Sequence, residues 1–325
     1  MAETSLDVEL RPATLDDAAS VADLDTLREP EDPRDPVLMR HWWASGDAVE
    51  KVARWIAKRG DAAVAFVSAG HRPWESGRHR YGWLRPRLHP DLWTAKRFGH
   101  LVDVGEAWLR SEGVETYVFS AHDSLRHEHD LMEQRGYTEA RRARISQLDL
   151  GATREQILRT ADESRRRMRG LGIELLTFGD DRDPDKARKL YQLELETEQD
   201  IPTTVPIPVL TFDQWQAREF QNPSYSEDRV WIARQGDAIV GMSQLRYPVV
   251  RGIPFTDYTA TARFARGRGI ARALKYQTMA QAIQLGFTLV RTQNDADNAP
   301  MLHVNEEMGY QPFVIEIEMH RDLTA

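Results

Sequence analysis

Apolar residues recur along this chain at two spacings, one helical and one alternating, and together they predict a regular succession of helices and strands. From Ile270 onward, Ala273, Leu274, Gln277, Met279, Ala280 and Ile283 mark a helix with one buried face, and Phe98, Leu101, Val102, Val104, Ala107 and Trp108 do the same for Lys96 to Glu112. Thr14 followed by Asp16 and Asp17 predicts a capped, acidic helix start, with the helix running to about Leu27. A second helix is expected from Ala48 to Lys58, after Pro30, Pro33 and Pro36 break the pattern into a loop. Short runs of β-branched, aromatic and small apolar residues predict strands at Val8–Thr14, Ala62–Ser68, Arg80–Leu84, Glu115–Ser120, Arg144–Leu150, Gly172–Phe178, Phe255–Thr261 and Phe287–Thr292.

The pattern is stated twice. Gly172–Phe178 echoes the opening strand, Asp180 to Thr197 the first helix, and the Gly309-Tyr310 helix end echoes Gly136-Tyr137. Such internal similarity implies duplication. The expected fold class is α/β (α+β), with two tandem halves, each a mixed, twisted sheet flanked by helices. The halves are placed at residues 1–150 and 171–325, joined by a helical connector at 151–170 that Thr153 caps and Gly170 stops.

With 325 residues and 41% hydrophobic content, each half has enough apolar material for its own core. There are no cysteines, which excludes disulfides, thiolate metal sites and a cysteine nucleophile. The formal net charge of −8 argues against broad nucleic-acid binding. No apolar run is long enough to span a bilayer, and Met1-Ala-Glu-Thr-Ser-Leu-Asp lacks the segments of a signal peptide, so a cytoplasmic location without membrane contact is expected. His122, His127, Glu128 and His129 cluster, but their spacing matches no zinc pattern and surface histidines are the expectation; no metal is predicted. The basic run Ser164–Arg169, flanked by Asp162 and Glu163, reads as a solvated helix face.

The chemistry concentrates in Arg266-Gly267-Arg268-Gly269-Ile270-Ala271, which falls where a predicted strand turns into a predicted helix. Missing side chains there bare successive backbone N–H groups at the positive end of a helix, a cradle for phosphate. It is not a P-loop, since no Gly-Lys-Ser/Thr follows. The segment resembles motif A of the GNAT acyltransferase superfamily, Arg/Gln-x-x-Gly-x-Gly/Ala, with Arg266, Gly269 and Ala271 at the defining places. Downstream, Asn294-Asp-Ala-Asp-Asn298 through Asn305-Glu-Glu-Met-Gly309-Tyr310 resembles the family's motif B, at family spacing.

The resemblance implies a tandem acyltransferase using acetyl-CoA as acyl donor, with a small-molecule primary amine as acceptor. Thr259, Ala260 and Thr261 would pair with the pantetheine arm, Gly267 to Ala271 would hold the pyrophosphate, and Arg266 and Arg268 would add charge. Asn294 and Asn298 would hydrogen-bond the pantetheine, or cap the next helix. Asp257, two residues before Thr259 on the same strand face, is a candidate base, or else an Asp paired with a nearby Arg. Asp200, with Glu196 and Glu198, lies where the family builds its acceptor site; a solvated acidic loop is the alternative. Many members place a Tyr acid four residues before the motif B glycine, whereas Asn305 stands there in this chain. In the first half, bulky residues of His89–Gly99 replace motif A, so that half is expected to bind acyl-CoA poorly. A monomer or homodimer is expected. A non-catalytic acyl-CoA sensor or assembly module is the alternative function.

Overall fold

The computed structural model describes residues 9–46, 49–73, 78–207 and 209–323. In chain order its elements are β1 (Arg11–Pro12), α1 (Ala18–Arg28), α2 (Pro36–Gly46), β2 (Lys51–Arg59), β3 (Ala62–His71), β4 (Tyr81–Leu88), α3 (Ala95–Ser111), β5 (Thr116–His122), α4 (Arg126–Gln134) and β6 (Thr138–Asp149). There follow α5 (Arg154–Gly170), β7 (Glu174–Thr177), α6 (Lys186–Glu198), α7 (Phe212–Phe220), β8 (Val230–Gln235), β9 (Ala238–Arg246), β10 (Phe255–Thr261), α8 (Ile270–Gln284), β11 (Leu289–Asp295), α9 (Ala299–Met308) and β12 (Gln311–Asp322). The α/β class and the mixed, helix-flanked sheet are as the pattern predicts.

Two compact units divide the chain: Met1–Arg142 with Val249–Gly252 and Val314–Ala325, and Ala143–Pro248 with Ile253–Phe313. In the first, β1 to β4 pair antiparallel in sequence order, β4 and β5 run parallel, and Glu316–Asp322 of β12 pairs antiparallel with β5. Phe98, Leu101, Val102 and Leu109 of α3 are buried with Val67, Leu84, Tyr117 and Phe119 of its sheet. In the second, β7, β8, β9 and β10 pair antiparallel in order, β10 and β11 run parallel, and β11 pairs antiparallel with Ala143–Asp149 of β6. Ile270, Ala273 and Leu274 of α8 share a core with Ile232, Val240, Met242 and Ala260, and α6 adds Leu190 and Leu193.

The expected helix at 48–58 is not formed. Ala48 lies outside the described residues, and 51–59 is the strand β2. Its Ala, Lys and Arg residues favour a helix locally, but the tight Gly60-Asp61 turn, with Gly60 at φ 60°, folds the segment onto β3, and pairing overrides propensity. The helix lies upstream instead, with Pro36 at its first position, where the missing N–H costs nothing. Of the expected opening strand, Val8 lies outside the described residues and within them only Arg11–Pro12 is strand; α7 and the β8–β9 hairpin supply elements the periodicity did not reveal.

Candidate active site

Motif A sits at the junction between β10 and α8. Gly267 and Gly269 have φ of 75° and 80°, the left-handed region closed to most side chains, and Gly269 is the residue from which α8 starts. Among the described residues no backbone carbonyl accepts a hydrogen bond from the N–H groups of 267 to 272; the first such bond is Ala273 N–H to the Gly269 carbonyl at 3.0 Å. These are the orphan donors of a helix start, directed outward. A Cβ built on Gly269 would lie 3.7 Å from the guanidinium of Arg167, which α5 brings over the turn. A cleft of about 530 Å³, lined by Thr160, Ser164, Arg167, Gly269, Arg272 and Tyr276 among others, opens there. Close packing fixes the junction's position: a Cβ at Gly241 of β9 would come within 2.8 Å of Ile270 Cγ2 and 3.2 Å of the Ala260 carbonyl, so only glycine lets α8 settle this deep.

The strands next to the cradle part company. β10 pairs with β11 only at Phe255 opposite Arg291, whereas Tyr258 to Thr261 pair with β9 alone and Thr292 to Asp295 with β6 alone. The β11-facing edge of Tyr258–Thr261 is therefore unzipped, and it leads towards the bared amides of motif A. A register shift between Thr256 and Tyr258 makes Asp257 the extra residue of a β-bulge at the point of divergence. Bulges redirect side chains, and strict alternation from Thr259 does not hold across this one.

The arginines of motif A are held by protein groups. Arg266 pairs with Asp200 and donates to the Thr261 carbonyl at 3.2 Å, and Arg268 donates to Gln235 Oε1 at 2.9 Å. Asp200 also binds Arg263 at 2.7 Å, and hydrogen bonds from Arg263 and Arg266 hold its carboxyl down at about 2. Glu196 accepts from the Arg263 backbone N–H at 2.7 Å, so the α6 end is laced to the loop before the cradle. Asp257 pairs with Arg246 and accepts from Gln244 Nε2 at 2.9 Å. It faces a small cleft shared with Glu219, Tyr225 and Arg246. Thr259 bonds Ser243 Oγ across the pair at 2.8 Å, and Ala260 is buried. Asn298 caps α9 through Met301 N–H at 3.3 Å, and Asn294 Oδ1 accepts from Asn305 Nδ2 at 2.7 Å. Thr259–Thr261 thus lead directly into 266–271, Asn294 stands on the diverging strand β11, and Asp200 and Asp257 are held at opposite ends of β10.

The fold and the cradle agree with what is found on comparison. Residues 187–310 match the family model described as the acetyltransferase (GNAT) family. This is a GNAT domain, and the chain has the tandem GNAT fold. A tandem GNAT protein from the clavulanic acid biosynthesis pathway superposes with a TM-score of 0.74 at 17% identity, over 98% of this chain and 99% of that one. A GCN5-related N-acetyltransferase from Sphaerobacter thermophilus superposes with a TM-score of 0.68 at 18% identity, over 98% of this chain and 96% of that one. No curated protein matches the chain.

Three features of the structure leave no mark in the sequence pattern. Arg167 comes from the basic run at 164–169, which is only partly a solvated face: Arg166, Arg167 and Arg169 are exposed, but Met168 is buried, Arg165 donates to Gln277 Oε1 at 2.7 Å, and Arg167 stands against motif A. Glu194 of α6 is 5% exposed, accepts from Trp215 Nε1 at 2.8 Å, and is raised to about 8 by burial and by nearby Glu219. Lys275 of α8 is fully buried. In the unit lacking motif A, the corresponding helix start is filled by its own chain: Thr94 Oγ1 accepts from Arg97 N–H at 3.2 Å, and Trp93 packs beside it. His122 and His129 are buried rather than on the surface, His122 pairing with Glu29 and His129 Nε2 meeting the His122 carbonyl oxygen at 3.0 Å. Among the described residues no three acidic or histidine side chains are placed to hold a metal, and no helix is long and apolar enough to cross a membrane.

Proposed function

We propose that the protein transfers an acetyl group from acetyl-CoA to a primary amine of a small molecule, by direct attack within a ternary complex. The observation that carries this reading is the unzipped edge of β10 leading to the amide cradle of motif A. A pantetheine arm adds to the open edge as an extra strand would, through Thr259 to Thr261, while the pyrophosphate takes the N–H groups of 267 to 271. Arg167, which makes no ion pair among the described residues and stands beside Gly269, supplies the charge that Arg266 and Arg268 commit to protein groups. Asp200 serves by holding Arg266 and so the shape of the loop. Asn294 faces the arm.

The acceptor enters from the side of α6 and α7, where Asp257 lies at the bulge. Asp257, held in place by Arg246 and Gln244, accepts the ammonium proton and passes it to water in its cleft. Orientation of the amine against the thioester, with backbone donors at the bulge, supplies most of the acceleration. The first half, whose helix start is occupied by Thr94, contributes no second acyl-CoA site.

The test is release of free thiol from acetyl-CoA with a panel of primary amines, with Gly269→Glu alongside. That substitution puts a carboxylate under Arg167 and a side chain at φ 80°, and should abolish acetyl-CoA binding in calorimetry while the protein stays folded. Turnover with any amine supports the enzyme. Tight binding with no turnover identifies an acyl-CoA sensor, the reading that Asn305, lacking an ionisable proton, favours; retained binding by the glutamate variant places the cradle elsewhere.

A further inference from the structure

The cleft beside motif A is a groove between one face of each of two helices. Thr160, Ser164 and Arg167 recur at helical spacing along α5, and Gly269, Ala273 and Tyr276 do so along α8. Its volume of about 530 Å³ falls within the range of small-molecule sites, about 300–1,000 Å³. One end of it is Gly269, the residue whose neighbouring amides form the cradle.

The polar groups of the α5 wall are uncommitted. A hydroxyl inside a helix can bond back to the carbonyl one turn earlier, as Thr26 does to Ala22 and Thr197 to Leu193, at 2.8 Å each. Thr160 and Ser164 make no hydrogen bond among the described residues, and Arg167 makes no ion pair there. Two hydroxyls and a guanidinium therefore line one wall about a turn apart. Met168, Ala273 and the Tyr276 ring, all buried, supply apolar surface beside them. Of the other charges in the lining, Arg272 pairs with Glu307, which also meets His303 Nε2 at 3.5 Å, and Glu163 is exposed. A ligand suited to this lining carries hydroxyls, a phosphate and a flat ring, which is the chemistry of a phosphorylated nucleoside.

We propose that this groove seats the 3′-phosphoadenosine end of the acyl donor. Arg167 meets the 3′-phosphate, the Thr160 and Ser164 hydroxyls meet ribose and phosphate oxygens, and the base lies against the apolar surface. The inference rests on the acyl-transfer reading, in which the cradle holds the diphosphate and the pantetheine arm leaves it along β10. From the same glycine the groove leads the nucleoside along α8. It selects a free CoA thioester as donor: a thioester carried on a protein's phosphopantetheine has one phosphate and no nucleoside, and would leave the groove unfilled. The helix expected only to connect the two halves thus takes part in choosing the donor.

The test uses the full chain and calorimetry with acetyl-CoA and 3′-dephospho-acetyl-CoA. The wild type should bind acetyl-CoA about 10–100-fold more tightly than the dephospho form, and Arg167→Gln should shrink that ratio to below about threefold. Ser164→Trp fills the groove and should weaken acetyl-CoA binding at least about tenfold, whereas Ser164→Thr, which keeps the hydroxyl, should stay within about threefold of wild type. Thermal melts of the three variants should match the wild type. With an amine that the wild type acylates, kcat/KM for acetyl-phosphopantetheine should be at least about 100-fold below that for acetyl-CoA. A ratio that Arg167→Gln leaves unchanged, an acetyl-CoA affinity that Ser164→Trp leaves unchanged, or equal kcat/KM for the two thioesters puts the nucleoside outside the groove and leaves the acyl-transfer reading standing. A wild type that binds no acetyl-CoA overturns both.

Discussion

At the scale of single residues, the domain stands on groups whose surroundings oppose their ordinary chemistry. Glu194 illustrates it: a buried carboxyl beside Glu219, raised from 4.5 to about 8. A folded-state value above the unfolded one means that the native chain holds a proton the unfolded chain has lost. The stabilisation is complete below about 4.5, drains away as pH rises between the two values, and is gone above about 8. Denaturant melts of wild type and Glu194→Gln across that window should show the wild type losing stability relative to the glutamine variant, by up to about 1.4 kcal/mol per pH unit. Parallel curves would mean Glu194 is ionised in the native state. The cradle glycines could be read from sequence because φ above zero restricts residue choice so strongly. Arg167 and Lys275 could not: one is an ordinary charge in a basic run, the other a polar residue in an amphipathic helix, and only tertiary packing decides what each one faces.

Among elements, the decisive relation is between α8 and the strand below it. Gly241 allows the helix to approach until Ile270 and Leu274 lie against the β9 backbone, and that approach sets where the amides of motif A point. Gly241→Ala should lift α8 at its first turn and cost about 1–3 kcal/mol in urea unfolding, with a weakened acetyl-CoA affinity in the same protein. An unchanged affinity would show that the cradle is positioned by β10 and the α6 contacts instead. The strand-to-helix junction and the motif B helix were legible because turn chemistry, capping and periodicity agree there. The strand β2 was not, since its Ala, Lys and Arg residues prefer a helix until pairing overrules them. Neither was the divergence of β10 from β11: backbone pairing leaves no residue signature when both strands remain apolar and β-branched.

For the molecule as a whole, each sheet is assembled from segments far apart in sequence. Glu316–Asp322 closes the first unit against β5, and Ala143–Asp149 closes the second against β11. Internal repetition announced two halves, but not which half each late strand would complete, because an edge strand carries similar alternation wherever it docks. Deleting residues 314–325 should therefore expose the edge of β5 and deprotect Thr116–His122 in amide hydrogen exchange, with aggregation as the companion symptom. If those amides stay protected, β5 needs no partner on that side.

That seven-residue ladder from Glu316 to Asp322 also fixes an order of events during synthesis. The segment Met1–Arg142 emerges from the ribosome long before the strand that finishes its sheet, and at ordinary elongation speeds the wait is roughly ten to thirty seconds. Throughout that interval the nascent first half presents a sticky border, and its maturation is timed by translation of the other half.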